Sequence, residues 1–247
     1  LRLRLGSGAL PRGGRPLGAM PDALSPNHGP RRLGARPDLV VIHFTAMDSH
    51  EAALTRLCDP AAEVSAHWLI SGAGRVTALV PEEQRAWHAG AGRWGMVEDV
   101  NSRSIGIELY NRGDHPFAGP QMAALESLLS EVMARWAIPP ERVIGHSDMA
   151  PGRKTDPGPR FDWHRLARHG LSVWPRPGQG AAVPSARAFD ELARRFGYTA
   201  AVSHDLRLAA FRLRFRPRAT GPVDAVDMAL IADLAARFPV DRGVTAA

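Results

Sequence analysis

From Asp38 onward the apolar residues fall into two kinds of block, short unbroken runs and longer stretches at helical spacing. Leu39-Val40-Val41-Ile42 is a run of the kind found in buried strands, and it ends at His43. Asp48 to Cys58 predicts a helix with Asp48 as N-cap and Glu51 three residues on, closed by Asp59-Pro60. Ala66 to Ile70 and Arg75 to Val80, joined by Ser71-Gly72-Ala73-Gly74, predict a hairpin. Ser104 to Leu109 is a second buried strand. Pro120 then opens the clearest helix of the chain, with Met122, Leu125, Leu129, Val132 and Trp136 at helical spacing and Pro139-Pro140 as its stop. Arg142 to Gly145 is a strand that leads straight into His146. Strands and helices alternate, which implies an α/β fold with a central sheet flanked by helices.

Past Val173 the pattern changes. Val173 to Val183 is rich in Pro and Gly and reads as a linker, and the strand signals end there. Ser185 to Phe196, Ser203 to Phe215 and Pro222 to Phe238 each read as a helix with its own start and stop residues. The chain therefore divides into an N-terminal extension over 1–24, disordered or upstream of the true start, an α/β domain over 25–172, a linker over 173–183 and a small three-helix domain over 184–247. Three short helices bury little core by themselves, so they are expected to pack against the larger domain.

Composition changes this picture in only a few places. The net charge of +6 sits at one end: residues 1–36 hold seven arginines against the single acid Asp22, and the remainder is neutral. A nucleic-acid-binding domain concentrates its basic residues on a folded face, so a nucleic-acid partner is not expected. If Met20 is the start, the charge falls to +2. Residues 1–14 lack the apolar run of a signal peptide, and no stretch approaches the ~20 apolar residues of a membrane-spanning helix. Cys58 is the single cysteine, so no intrachain disulfide forms. A cytoplasmic monomer is the expectation, with a periplasmic home the alternative if the true N-terminus differs.

Three polar residues stand where strands run out: His43, Glu108 and His146. The loop after His146 carries Pro151, Gly152, Pro157 and Gly158, which fix its course and allow Asp156 to fold back beside the histidine. Two histidines and one carboxylate are a standard set for catalytic zinc, leaving a fourth position for water. Lys154 is the only lysine beside thirty arginines, so its position is expected to need a compact ammonium, suited to a developing oxyanion. Glu108 suits a general base, or alternatively a buried partner that orients a metal ligand.

The motifs VIHFTA around His43, VSAHWLI around His67, QRAWHAG from Gln84, SIGIELYNRG from Ser104 and GHSDMAPGRKTDPGPRFDW from Gly145 carry a resemblance. Over about residues 25–165 the chain resembles the AmpD and AmiD group of bacterial N-acetylmuramoyl-L-alanine amidases. Its fold is shared with the peptidoglycan recognition proteins. The resemblance implies a mixed sheet with zinc at one edge, held by His43, His146 and Asp156, with Glu108 as catalytic acid/base and Lys154 as charge stabiliser. It also implies that Trp87 and His88 line the substrate cleft, with His67 and Arg153 as further substrate-binding candidates. The three-helix tail resembles a degenerate peptidoglycan-binding domain of the kind AmiD-like members carry. The expected activity is hydrolysis of the amide between N-acetylmuramic acid, including its 1,6-anhydro form, and L-alanine. The competing reading is a recognition protein that holds such fragments without cutting them. For Arg207, Arg212, Arg214, Arg216 and Arg218 the expectation is a solvated face or a grip on acidic muropeptides.

Overall fold

The computed structural model describes residues 24–176 and 183–241, so the expected extension lies almost wholly outside the described residues. Among the described residues seven strands form in chain order: β1 (His28–Pro30), β2 (Leu39–Phe44), β3 (Trp68–Ile70), β4 (Val76–Ala78), β5 (Gln84–Ala86), β6 (Ser104–Leu109) and β7 (Val143–Gly145). Five of them make one sheet in the order β4-β3-β6-β2-β7, parallel except for the β3–β4 hairpin at one edge. β1 and β5 pair separately as a two-stranded ribbon.

The sequence of β2 explains its interior place, between β6 and β7. Leu39, Val40, Val41 and Ile42 are all fully buried, each side chain contributing about 1.5–3 kcal/mol over exposure. Alternate residues serve different layers. Val40 and Ile42 join a core with Ile105, Ile107 and Leu109 of β6 and with the long helix α3 (Gly119–Trp136) that covers this face, if α1 (His50–Cys58) and α2 (Val100–Arg103) are counted first along the chain. Leu39 and Val41 point the other way, into a second core with Ile144 and Met149. Both faces are thus committed, and a one-residue slip of β2 would move every side chain into the wrong layer.

Helix α1 begins one residue later than the sequence suggested. Ser49 is its N-cap, with the hydroxyl accepting from Ala52 N–H at 3.0 Å; Asp48 and Ser49 both offer a capping oxygen, and only the chain path decides between them. Ala53 and Leu57 of α1 pack with Leu69 and Leu79 on the same side of the sheet as the second core. Two shorter helices follow β7: α4 (His146–Met149) and α5 (Trp163–Arg168).

The three C-terminal helices are α6 (Ala186–Phe196), α7 (His204–Phe215) and α8 (Ala225–Arg237), capped by Ser185, Ser203 and Asp224. Phe189, Phe196, Phe211, Ile231 and Leu234 lie in one continuous apolar cluster with Leu39, Val41 and Ile144 of the sheet. Val173 is buried in that cluster and Trp174 meets Phe215 at 5.5 Å, so the Pro/Gly-rich stretch begins as packed chain; residues 177–182 lie outside the described residues.

The arginine expectation for α7 is overturned. Arg207, Arg212 and Arg214 are buried, paired with Asp190, Asp227 and Asp148 respectively, and Arg216 pairs with Asp224 and Asp227. Only Arg218 of the five is exposed. Spacing along one helix gave no sign of carboxylates supplied from other elements.

Candidate active site

The site lies over the carboxyl ends of three adjacent parallel strands, the usual place for ligands in such sheets. His43 and Glu108 are register partners one residue before the ends of β2 and β6, and His146 follows β7 as the first residue of α4. His43 shares the face of Leu39 and Val41. Asp156 returns to it because its carbonyl accepts from Ser147 N–H at 2.9 Å, folding the loop after α4 back on itself.

His43 Nδ1 stands 2.9 Å from His146 Nδ1 and 2.9 Å from Asp156 Oδ2, and His146 Nδ1 stands 3.0 Å from the same oxygen. All three residues are buried. The surrounding hydrogen bonds decide which atoms carry protons. Ser104 Oγ donates to the Val100 carbonyl and so accepts from His88 Nε2 at 3.2 Å. That leaves His88 Nδ1 to accept from His43 Nε2 at 3.0 Å, and His43 Nδ1 with its lone pair turned inward. His146 Nε2 donates to the Ala89 carbonyl at 2.9 Å, which turns the lone pair of its Nδ1 inward as well. Two lone pairs and a carboxylate oxygen therefore converge on one point. Three buried acceptors without a donor among them repel one another, and a metal cation relieves this.

Burial pushes the His43 imidazole down to about 4, and neighbouring His146 adds to the effect, so the ring is neutral at physiological pH as a metal ligand must be.

The triad opens into a cleft of about 400 Å³ whose lining includes Phe44, Met47, Arg56, Trp87, Glu108 and Lys154. Glu108 Oε2 is shut off from solvent and has no hydrogen-bond partner among the described residues. Burial, helped by the charge of Asp156, raises the Glu108 carboxyl to about 8, while Lys154 pulls the other way. Lys154 is exposed at the cleft, and its charge is felt at both Glu108 and His43. An acid poised near neutrality, a cation and a three-ligand centre thus face one space.

Of the remaining candidates, Trp87 lines the cleft as expected. His88 reaches the cleft too, but both its nitrogens are engaged behind His43, so it orients a ligand instead of meeting substrate through a free nitrogen. The ring of His88 lies on Gly106, where an added Cβ would come within 2.4 Å, so only glycine fits beneath it. Arg153 lines the cleft while its guanidinium donates to the carbonyls of Ala89 and Ala91. His67 is a correction. It is fully buried below the site, with Nδ1 accepting from Gly106 N–H at 2.9 Å and Nε2 donating to the Gln84 carbonyl at 3.1 Å, so it braces β6 and does not reach substrate. Nothing in the sequence marks Ser104, a strand-opening serine whose role comes only from His88 packed beside it.

Residues 33–159, which include every member of this constellation, match the family model described as N-acetylmuramoyl-L-alanine amidase. The chain belongs to that family. Among characterised amidases it is 35% identical to N-acetylmuramoyl-L-alanine amidase AmiD of Escherichia coli, over 83% of this chain and 85% of that protein. It is 36% identical to 1,6-anhydro-N-acetylmuramyl-L-alanine amidase AmpD of Enterobacter cloacae, over 58% of this chain and 85% of that one. The solved E. coli AmiD, in complex with anhydro-N-acetylmuramic acid-L-Ala-D-γ-Glu-L-Lys, superposes with a TM-score of 0.76 at 32% identity, covering 91% of this chain and 95% of that one. AmpDh3 of Pseudomonas aeruginosa gives 0.75 at 30% identity, covering 84% and 94%. The mixed sheet flanked by helices is the amidase architecture. The AmiD likeness extends over the C-terminal helices, since its coverage leaves at most a tenth of the chain unmatched.

Proposed function

We propose that this amidase cleaves the amide joining N-acetylmuramic acid, including its 1,6-anhydro form, to L-alanine in peptidoglycan fragments during wall turnover and recycling, with zinc held by His43, His146 and Asp156. The observation that carries the proposal is the convergence of two imidazole lone pairs and one carboxylate oxygen in the cleft that Glu108 and Lys154 share. Two nitrogens and one oxygen, with a further side open to the cleft, match the donor set of catalytic zinc. The relatives named above act on, or have been solved with, substrates of this class.

When bound, zinc supplies Lewis acidity toward water and toward the scissile carbonyl. Glu108 takes a proton from the attacking water as its oxygen bonds to the carbonyl carbon. The same carboxyl then gives that proton to the alanine nitrogen as the C–N bond breaks, so that it ends the cycle ionised as it began. Lys154 places positive charge in the cleft as the carbonyl oxygen becomes negative. Phe44, Met47 and Trp87 supply apolar surface against which a sugar and its lactyl arm can lie.

The test uses purified protein with and without chelator on 1,6-anhydro-muramyl tripeptide and, separately, on intact sacculi, with released peptide read by mass spectrometry. Chelator-sensitive release of peptide from the soluble fragment is the expected result. Binding without release from either substrate would replace hydrolysis with mere recognition.

A further inference from the structure

Two separate sets of contacts run from the C-terminal helices to the backbone that presents His146. The first passes through Asp148, which is fully buried two residues beyond the ligand. Its Oδ2 accepts from Gly145 N–H at 2.8 Å and from Arg214 Nη1 at 2.7 Å, and its Oδ1 accepts from the Tyr198 hydroxyl at 2.6 Å. Arg214, itself buried in α7, also donates to the Val143 carbonyl at 3.2 Å and to Ser172 Oγ at 2.9 Å, and it lies 4.1 Å over the Trp163 ring. One guanidinium thus ties the start of β7 to the turn on which His146 stands.

The second set holds the loop before α2. Trp94 is fully buried between Phe196 and Tyr198, at 5.5 and 5.1 Å between ring centres. Its indole occupies the space that a Cβ on Gly197 would need, 2.2 Å away. Gly95 N–H donates to the Gly197 carbonyl at 3.0 Å, and Thr199 Oγ1 donates to the Gly95 carbonyl at 2.7 Å. The loop anchored in this way carries Ala89, whose carbonyl receives His146 Nε2, and Arg93, whose N–H donates to the Met149 carbonyl at 2.7 Å.

We infer that the C-terminal helices position the metal centre: Tyr198 and Arg214 set the His146 turn through Asp148, and the Trp94 cradle sets the carbonyl that orients the His146 ring. The inference rests on the metal site proposed above and goes beyond it, since it gives the tail a task inside the site instead of on the wall. Buried charge makes the arrangement all-or-none, because Asp148 deprived of its donors is a desolvated carboxylate beside the ligand turn. Removing a direct partner of a metal ligand costs roughly 10–100-fold in affinity, and Tyr198 and Arg214 act one contact behind such a position, so the low end of that range applies.

The experiment uses the full chain and zinc itself. Zinc affinity is measured by competition with a chromogenic chelator, and the visible absorption of the cobalt-loaded protein reports ligand geometry. Tyr198→Phe removes one hydroxyl and keeps the ring that packs on Trp94; Arg214→Met removes the charged bridge. Ile231→Ala, in the buried interior of α8, serves as a control that loosens the helices while removing none of the hydrogen bonds in either set. The expected result is zinc binding weaker by about tenfold or more in Tyr198→Phe and Arg214→Met, with a changed cobalt spectrum. Ile231→Ala should keep both readouts while melting at lower temperature. Wild-type affinity and spectrum in Tyr198→Phe, or an equal loss in Ile231→Ala, would overturn the inference. Failure of the unaltered protein to bind zinc would instead remove the proposed function itself, and the inference with it, before any variant is compared.

Discussion

His88 Nδ1 accepts from His43 Nε2 at 3.0 Å, and this one contact settles which nitrogen of His43 faces His146 and Asp156. The chain continues from His88 to Ser104 and ends on the Val100 carbonyl, so the direction of every proton in it is fixed at the far end by an acceptor that cannot donate.

Ser104→Ala is therefore expected to act at a distance. With no hydroxyl to accept from His88 Nε2, the ring loses its preferred tautomer and His43 loses its fixed orientation. Zinc affinity should drop by roughly tenfold while the fold is retained, and His88→Ala should cost more, up to about a hundredfold. Chelator competition measures both.

Glu108→Gln should lower kcat by roughly 10²–10⁴-fold, since the amide neither takes a proton from water nor returns one to the leaving nitrogen. Zinc content and KM should be little changed, because Glu108 is absent from the ligand triad. Steady-state kinetics with metal analysis on the same preparation separates this from a role in holding the metal.

The same substitution should change the pH dependence of stability in metal-free protein. Glu108 has its folded-state pKa raised to about 8 from 4.5, so the folded chain binds the extra proton between those values. Its contribution is full below about 4.5 and is lost as pH rises toward 8. Glu108→Gln removes that loss, and should melt at a higher temperature than the parent at pH 8.5, with the difference shrinking at pH 5. A gap on the order of 1 kcal/mol or more is expected, read by thermal unfolding in chelator at both pH values.

Lys154→Arg should fail to restore activity. A guanidinium keeps the charge but spreads it over a plane, and the exposed side chain must aim one donor at one oxygen. A fall of roughly 10²-fold in kcat is expected for Lys154→Arg, approaching that of Lys154→Met, with unchanged zinc binding. Parallel kinetics on the two variants check it.

Much of this arrangement was legible in the order of residues. Ser104–Leu109 forms a strand over the bounds its apolar run suggested, and the three polar residues at strand ends do meet, because parallel neighbours bring their carboxyl ends together. What stayed hidden depends on contacts between distant segments. His67 sits in a motif beside the site, yet its ring is held inward, where Nδ1 accepts from Gly106 N–H and Nε2 donates to the Gln84 carbonyl. His88 lines the cleft as its motif implied, but its work in orienting His43 shows only when Ser104, sixteen residues later, supplies its second partner. The arginines of α7 carry no mark of burial, because the carboxylates that neutralise them come from α4, α6 and α8. Tautomers, likewise, belong to a network and not to a residue.

The single apolar cluster that runs from Leu39 and Val41 into Phe211 and Ile231 also bears on how this enzyme can be engineered. A tail that shares its interior with the sheet is not a cassette. Grafted elsewhere it would carry an open greasy face, and the catalytic half left behind would show the matching scar. Swapping wall-targeting parts among such enzymes should therefore begin outside residue 238, leaving the helices where they are, as masonry and not as ornament.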